Sequence, residues 1–323
     1  QKMPWFRHFP GFLHRLLDQP SLLRRIATSS SATDAHDLGA LTLSMLQGED
    51  GRQVREVREL VKWLSESFQP DVIHLAYSML LGLAPALKRE LGVPLLCSLQ
   101  GEDLFLDQLN EEYKGRVFET LGSLSQHVDR FVATSDFYAD YMAGYLGLRP
   151  EHISQARIGI SLDGHRSPTE PLTVRTEGRL EIGYMARICP EKGLHVLCEA
   201  FRKLSEALGP GRVRLRVAGY LGPRDRPYLE DCRRQLRSWG LERDFQYLGQ
   251  IDRDAKIRFL QSLDLLSVPT VYRESKGLFV LEAMANGVPV VQPDHGVFPE
   301  LIKRTRGGIV VEVGSVGALA EGI

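Results

Sequence analysis

The segment Glu181-Ile182-Gly183-Tyr184-Met185-Ala186-Arg187-Ile188-Cys189-Pro190-Glu191-Lys192-Gly193 sets the reading of the whole chain. Its first part is a short apolar run, the length of one buried strand and too short for a core helix. Pro190 and Gly193 then punctuate a turn, and apolar residues return at helical spacing. A strand over 180–186 followed by a helix over 192–207 is the repeating unit of a parallel sheet covered on both faces. The alternation continues outward, with strands predicted over 212–218, 244–248, 264–268, 288–292 and 308–311. Helices are predicted over 226–239, 253–262, 277–286 and 297–303, and a last one starts near Val316.

The N-terminal half repeats the pattern. Val54, Val57, Leu60, Val61, Leu64 and Phe68 recur at helical spacing until Pro70. Strands are predicted over 71–75, 94–99 and 130–135, helices over 80–91, 111–127 and 138–146, and extended chain over 153–160. The stretch 161–178 is rich in Ser, Pro, Thr and Gly without a period, which marks a linker. The predicted fold class is therefore α/β, with two Rossmann-like domains whose parallel sheets face an interdomain cleft. The first domain spans 1–162, the linker 163–177 and the second domain 178–323. The length of 323 residues suits two domains of ~150 each.

Composition narrows the function. Forty Lys and Arg against 41 Asp and Glu leave a net charge of −1, so the chain as a whole has no attraction for nucleic acid. Cys97, Cys189, Cys198 and Cys232 form no Cys-x-x-Cys pair, which removes zinc-knuckle and dithiol motifs and suggests a reducing, cytoplasmic compartment. His195 with Cys189 and Cys198 is the one local Cys/His grouping, its spacing fits no zinc pattern, and it reads as core packing. No apolar run reaches the ~18 residues that span a bilayer, and no leader pattern is seen. Gly-x-Ser-x-Gly, Gly-x-Gly-x-x-Gly and the lysine-containing phosphate loop are all missing, which disfavours serine hydrolases, nicotinamide dehydrogenases and triphosphatases.

Ligands of open α/β sheets bind where strands end and helices begin. The loop 186–193 carries Arg187 and Lys192 at such a point, where backbone N–H groups favour an anion; alone, this could also be two solvated cations. The second loop runs Thr270-Val271-Tyr272-Arg273-Glu274-Ser275-Lys276-Gly277-Leu278 into a helix carrying Glu282. Gly277 lets a ligand approach the backbone, and the N–H groups of Gly277 and Leu278 can point at a phosphate. Glu274 and Glu282 are acceptors suited to sugar hydroxyls, or equally two surface carboxylates on an amphipathic helix.

The chain resembles glycosyltransferase family 4, retaining nucleotide-sugar enzymes of GT-B architecture. The likeness rests on Gly183-x3-Arg187-x2-Pro190-Glu191-Lys192-Gly193, Val217-Ala218-Gly219, Tyr247-Leu248-Gly249 and Glu274-x7-Glu282. It extends through Leu281-Glu282-Ala283-Met284-Ala285-Asn286-Gly287-Val288-Pro289-Val290-Val291, in the family's order over roughly residues 70–311. The resemblance implies a glycosyltransferase moving a sugar from a nucleotide-diphosphate sugar to a glycan or lipid-linked acceptor. It implies that Arg187 and Lys192 hold the donor diphosphate, that Glu274 contacts the donor sugar and that Glu282 bonds the ribose. Backbone at Gly277 and Leu278 would meet the diphosphate, while Gly219 and Ile251 would border the nucleotide. No metal or other cofactor is expected, because cationic side chains stabilise the leaving group.

In the N-terminal half, Asp71-Val72-Ile73-His74 and Gln100-Gly101-Glu102-Asp103 resemble family segments. Gln100, Gly101 and Asp103 are expected on the acceptor side of the cleft. Gln100 stands where the family commonly has histidine, and Ile158 where it has asparagine. The family's glycine-rich acceptor loop is not found, and both ends look cut. Trp5, Phe6, Phe9 and Phe12 interleave with Arg7 and Arg15, which suits either a peripheral membrane contact or a cover over the acceptor domain. The rival functional reading is a non-catalytic protein that binds nucleotide or glycan.

Overall fold

The computed structural model describes residues 38–166 and 178–323. The aromatic stretch near the start and most of the predicted linker lie outside the described residues. The first sheet holds β1 (Ile73–Leu75), β2 (Leu95–Leu99), β3 (Arg130–Ala133) and β4 (Ile153–Gln155), all parallel and in that order. The second holds β5 (Leu180–Met185), β6 (Val213–Ala218), β7 (Phe245–Tyr247), β8 (Leu265–Leu266), β9 (Val290–Pro293) and β10 (Gly308–Val311). It too is parallel, in the order β10-β9-β8-β5-β6-β7. Both sheets match the predicted α/β class of parallel sheets in two Rossmann-like domains.

The helices are α1 (Gly39–Leu46), α2 (Val54–Trp63), α3 (Ala84–Leu91), α4 (Asp103–Asp107), α5 (Glu111–Leu124) and α6 (Asp136–Leu146) in the first half. The second half has α7 (Leu194–Leu208), α8 (Arg226–Ser238), α9 (Arg253–Gln261), α10 (Leu278–Met284), α11 (Phe298–Thr305) and α12 (Val316–Gly322). The short α4 was not expected, because its five residues carry no full helical period. The helix predicted over 80–91 is divided: a 3-10 segment, Ser78–Leu83, precedes α3. Gly82 is packed against the Met45 carbonyl, and Pro85 offers no N–H to continue the earlier turn. The extended stretch expected over 153–160 pairs with β3 through Gln155, and the Ala156 N–H adds a last bond to the Ala133 carbonyl at 2.9 Å.

Burial follows the predicted periods. On α7, Leu194, Leu197, Cys198 and Phe201 are fully buried at i, i+3, i+4 and i+7. On β6, buried Val213, Leu215 and Val217 alternate with half-buried Arg214 and Arg216. Losing the Phe201 ring alone would cost ~3–5 kcal/mol. His195 is held by Tyr228, whose hydroxyl accepts from its backbone N–H at 3.0 Å, and Cys198 belongs to the core. Among the described residues no cluster of His, Cys, Asp or Glu is arranged to hold a metal, and no helix is long and apolar enough to cross a membrane.

The two halves touch at the carboxyl ends of their sheets. The Thr134 hydroxyl, just after β3, donates to the Ser275 carbonyl at 3.1 Å. Glu300 on α11 accepts from the backbone N–H groups of Asp136 and Phe137, at 2.9 and 3.2 Å, and so caps α6 from the other domain.

Candidate functional site

In the second sheet the strand order reverses between β5 and β8. Connections leave these neighbouring strands toward opposite faces, so a crevice opens at their carboxyl ends. The loop after β5 brings Arg187 and Lys192 to that crevice, and the loop after β8 brings Tyr272, Glu274 and Gly277. Two glycines make the approach of these loops possible. Gly193 has φ 71°, and a Cβ there would lie 1.8 Å from the Pro269 carbonyl oxygen. Gly219 has φ 153°, and a Cβ there would lie 1.7 Å from the Ala186 oxygen. Any side chain at either position would push the loops apart.

Lys192 is the centre of the cluster. Its ammonium donates to Glu274 Oε2 at 2.6 Å and to the Tyr272 hydroxyl at 2.5 Å, and that hydroxyl donates to the same Glu274 oxygen at 2.7 Å. The ammonium also sits 4.8 Å from the Tyr272 ring centroid. Burial opposes ionisation of Glu274, but the Lys192 charge and the bonds from Lys192 and Tyr272 outweigh it and hold the carboxyl below its usual range. Burial, with the Glu274 charge beside it, raises the Tyr272 phenol far above its usual range, so it remains a neutral donor. Glu274 Oε1 takes the backbone N–H groups of Lys276 and Gly277 at 3.3 and 3.4 Å, which fixes the turn into α10.

Arg187 is oriented by Cys189, whose sulfur lies 3.4 Å from its Nε. Glu282 lies four residues into α10, half-buried, and forms an ion pair with Lys256 of α9. Leu278 opens α10, where the first N–H groups have no helical partner. The Gly219 N–H donates to the Gly249 carbonyl at 2.9 Å, tying the β6 turn to the turn bearing Ile251, which packs half-buried on the second core.

On the opposite wall, Gln100 and Gly101 do face the crevice. Gln100 Oε1 accepts from Lys276 at 2.9 Å, and a Cβ on Gly101 would lie 3.1 Å from Ser275 Oγ. Asp103 corrects the expectation for an acceptor-side group. It is 5% exposed and turned beneath its loop, where Oδ1 accepts from the Tyr138 hydroxyl at 2.6 Å. That hydroxyl also accepts from the Gly101 N–H at 2.7 Å, so Asp103 shapes the turn and does not line the cleft. The sequence reading missed Tyr272, Lys276 and His295. His295, in the turn after β9, donates from Nε2 to the Thr270 carbonyl at 2.9 Å and so braces the second loop. The available signal was a phenol two residues before a loop carboxylate.

With this geometry in view, the likeness to known proteins is decisive. Residues 172–323 match the model described as glycosyl transferases group 1, and residues 22–159 match the glycosyl transferase 4-like domain. The chain is a glycosyl transferase 4-like domain followed by a glycosyl transferases group 1 domain. A Salmonella typhimurium glycosyltransferase named for colanic acid biosynthesis is 29% identical over 269 residues, 80% of this chain and 61% of that protein. The D-inositol 3-phosphate glycosyltransferase of Segniliparus rotundus is 27% identical, over 76% of this chain and 56% of its own length. The chain thus spans about three fifths of the curated glycosyltransferases it matches. Among solved structures, Anabaena HepE in complex with UDP and glucose superposes with a TM-score of 0.67 at 21% identity, over 84% of this chain and 72% of that one. Sucrose-phosphate synthase from Thermosynechococcus elongatus gives 0.67 at 17% identity, over 84% and 68%. These structural likenesses place this glycosyltransferase chain in the GT-B fold.

Proposed function

We propose that the protein transfers a glycosyl group, with retention, from a nucleotide-diphosphate sugar to a glycan or lipid-linked acceptor. The observation that carries this reading is the Lys192–Tyr272–Glu274 cluster, with Arg187 beside it, at the switch point of the second sheet. Arg187 and Lys192 would hold the diphosphate and meet the negative charge that grows on it as the bond to the sugar breaks. Glu274 would contact the sugar, Glu282 the ribose, and the Gly277–Leu278 backbone the phosphate. The turns at Gly219 and Ile251 would border the base. The complex of HepE with UDP and glucose supports this class of donor.

Retention fits a front-face displacement. The acceptor oxygen bonds the anomeric carbon on the face the diphosphate leaves, and the acceptor proton passes to a diphosphate oxygen. Glu102 and Asp103, the acids of the opposite turn, are each 5% exposed and engaged internally, so neither is placed as a nucleophile. Trapping a covalent glycosyl-enzyme would contradict this route. Because side-chain cations meet the leaving charge, turnover is expected to survive a chelator, and dependence on added Mg²⁺ would overturn that part. The four free, buried cysteines support a cytoplasmic location, with a peripheral membrane contact where the acceptor is lipid-linked.

The test is incubation with a panel of nucleotide sugars, following nucleoside diphosphate release with and without acceptor. Donor-dependent release supports the reading. Tight donor binding with no release under any condition would favour the non-catalytic alternative.

A further inference from the structure

We propose that Lys276 is a third cation for the donor diphosphate, released to it from a bond across the cleft. This rests on the nucleotide-sugar reading above and adds a residue that reading does not use.

The charges of the crevice do not balance without it. Lys192 is matched by Glu274 at 2.6 Å. Arg187 donates to the Cys189 sulfur and forms no ion pair among the described residues, with Glu191 and Asp225 acting on it only through space. The crevice therefore offers about one uncompensated positive charge to a diphosphate that carries two and gains more as it leaves. Lys276 supplies the missing charge. Its ammonium bonds a neutral acceptor, Gln100 Oε1 at 2.9 Å, and makes no ion pair among the described residues.

Its backbone is already part of the site. The Lys276 N–H lies 3.3 Å from Glu274 Oε1, beside Gly277, so only the flexible stem is left to move. A phosphate oxygen is a stronger partner for an ammonium than an amide carbonyl, because both groups are charged. A bound donor would thus draw Lys276 from Gln100. The Gln100 amide, still donating from Nε2 to the Ala76 carbonyl at 2.9 Å, would then be left with a free oxygen facing the sugar. Donor binding and the contact between the two walls become one exchange.

The experiment titrates the 323-residue chain with UDP, GDP and ADP, and with the corresponding monophosphates, by calorimetry. For the base that binds, Lys276→Gln should weaken the diphosphate about tenfold, the worth of one charge-assisted hydrogen bond, and the monophosphate less than about twofold. Lys276→Arg should restore most of the loss. Gln100→Leu should tighten the diphosphate a few-fold, since the competing acceptor is gone. If the native chain binds a diphosphate and Lys276→Gln binds it equally well, the inference falls while the functional reading stands. If none of the three diphosphates binds the native chain, both fall together.

Discussion

Two buried carboxylates, one in each half of this molecule, behave oppositely. Glu274, on the donor side, is 6% exposed, and Asp103, on the acceptor side, is 5% exposed. Burial pushes both toward the neutral form. Beside Glu274 stands the Lys192 ammonium, and its charge with the local hydrogen bonds carries the carboxyl below its usual range. Beside Asp103 the Tyr138 phenol does not offset burial, and the Glu102 and Asp107 charges add to it, so that carboxyl is raised. Burial alone therefore does not mark a working acid. The partner does, and it separates a wall that holds charge ready for a ligand from a wall that spends its acids on its own turn.

The largest effect should come from removing the partner. Lys192→Ala is expected to cost roughly 2–4 kcal/mol in transition-state stabilisation and to lower the melting temperature, because Glu274 is left charged and buried. Full turnover and unchanged melting would end the distinction between the walls. Next, Tyr138→Phe should cost about 1–3 kcal/mol of stability, since the Gly101 N–H and Asp103 both lose their partner, while donor affinity holds. A selective loss of donor affinity would put Asp103 back in the site.

The pair can also be compared by pH. Glu274 has a depressed folded value, so its stabilisation is complete above the unfolded value of 4.5 and is lost as pH falls through the folded value. Asp103 has a raised folded value, so its contribution is present below the unfolded 3.8 and is lost as pH rises through the folded value. Glu274→Gln should therefore lower the melting temperature at pH 7, and Asp103→Asn should leave it unchanged or raise it. Matching losses in both variants would contradict the opposite signs. The smallest effect is expected for Lys256→Ala, a partly exposed pair worth about 0.5–1 kcal/mol, seen as a modest rise in the donor Michaelis constant through Glu282.

The sequence disclosed most of the second domain, because its evidence is local. The β5 run, Pro190, Gly193 and the α7 stripe each declare themselves within a few residues, and parallel pairing then follows from the alternation of strands and helices. Arg187, Lys192 and Glu274 could be named from loop position and motif. Which groups share one cluster could not, since Tyr272 meets Lys192 across 80 positions of chain. The same limit misplaced Asp103. Its motif put it in the turn, but whether a side chain points into a cleft or beneath a loop depends on Tyr138, 35 residues away. Lys276 was passed over because its partner, Gln100, belongs to the other domain.

The most direct test is a crystal structure of the chain with the nucleoside diphosphate it binds most tightly. The account predicts diphosphate oxygens within hydrogen-bond reach, about 2.7–3.2 Å, of Arg187 and Lys192 and over the Gly277 backbone. A diphosphate bound anywhere else, with the Lys192–Tyr272–Glu274 cluster untouched, would contradict it.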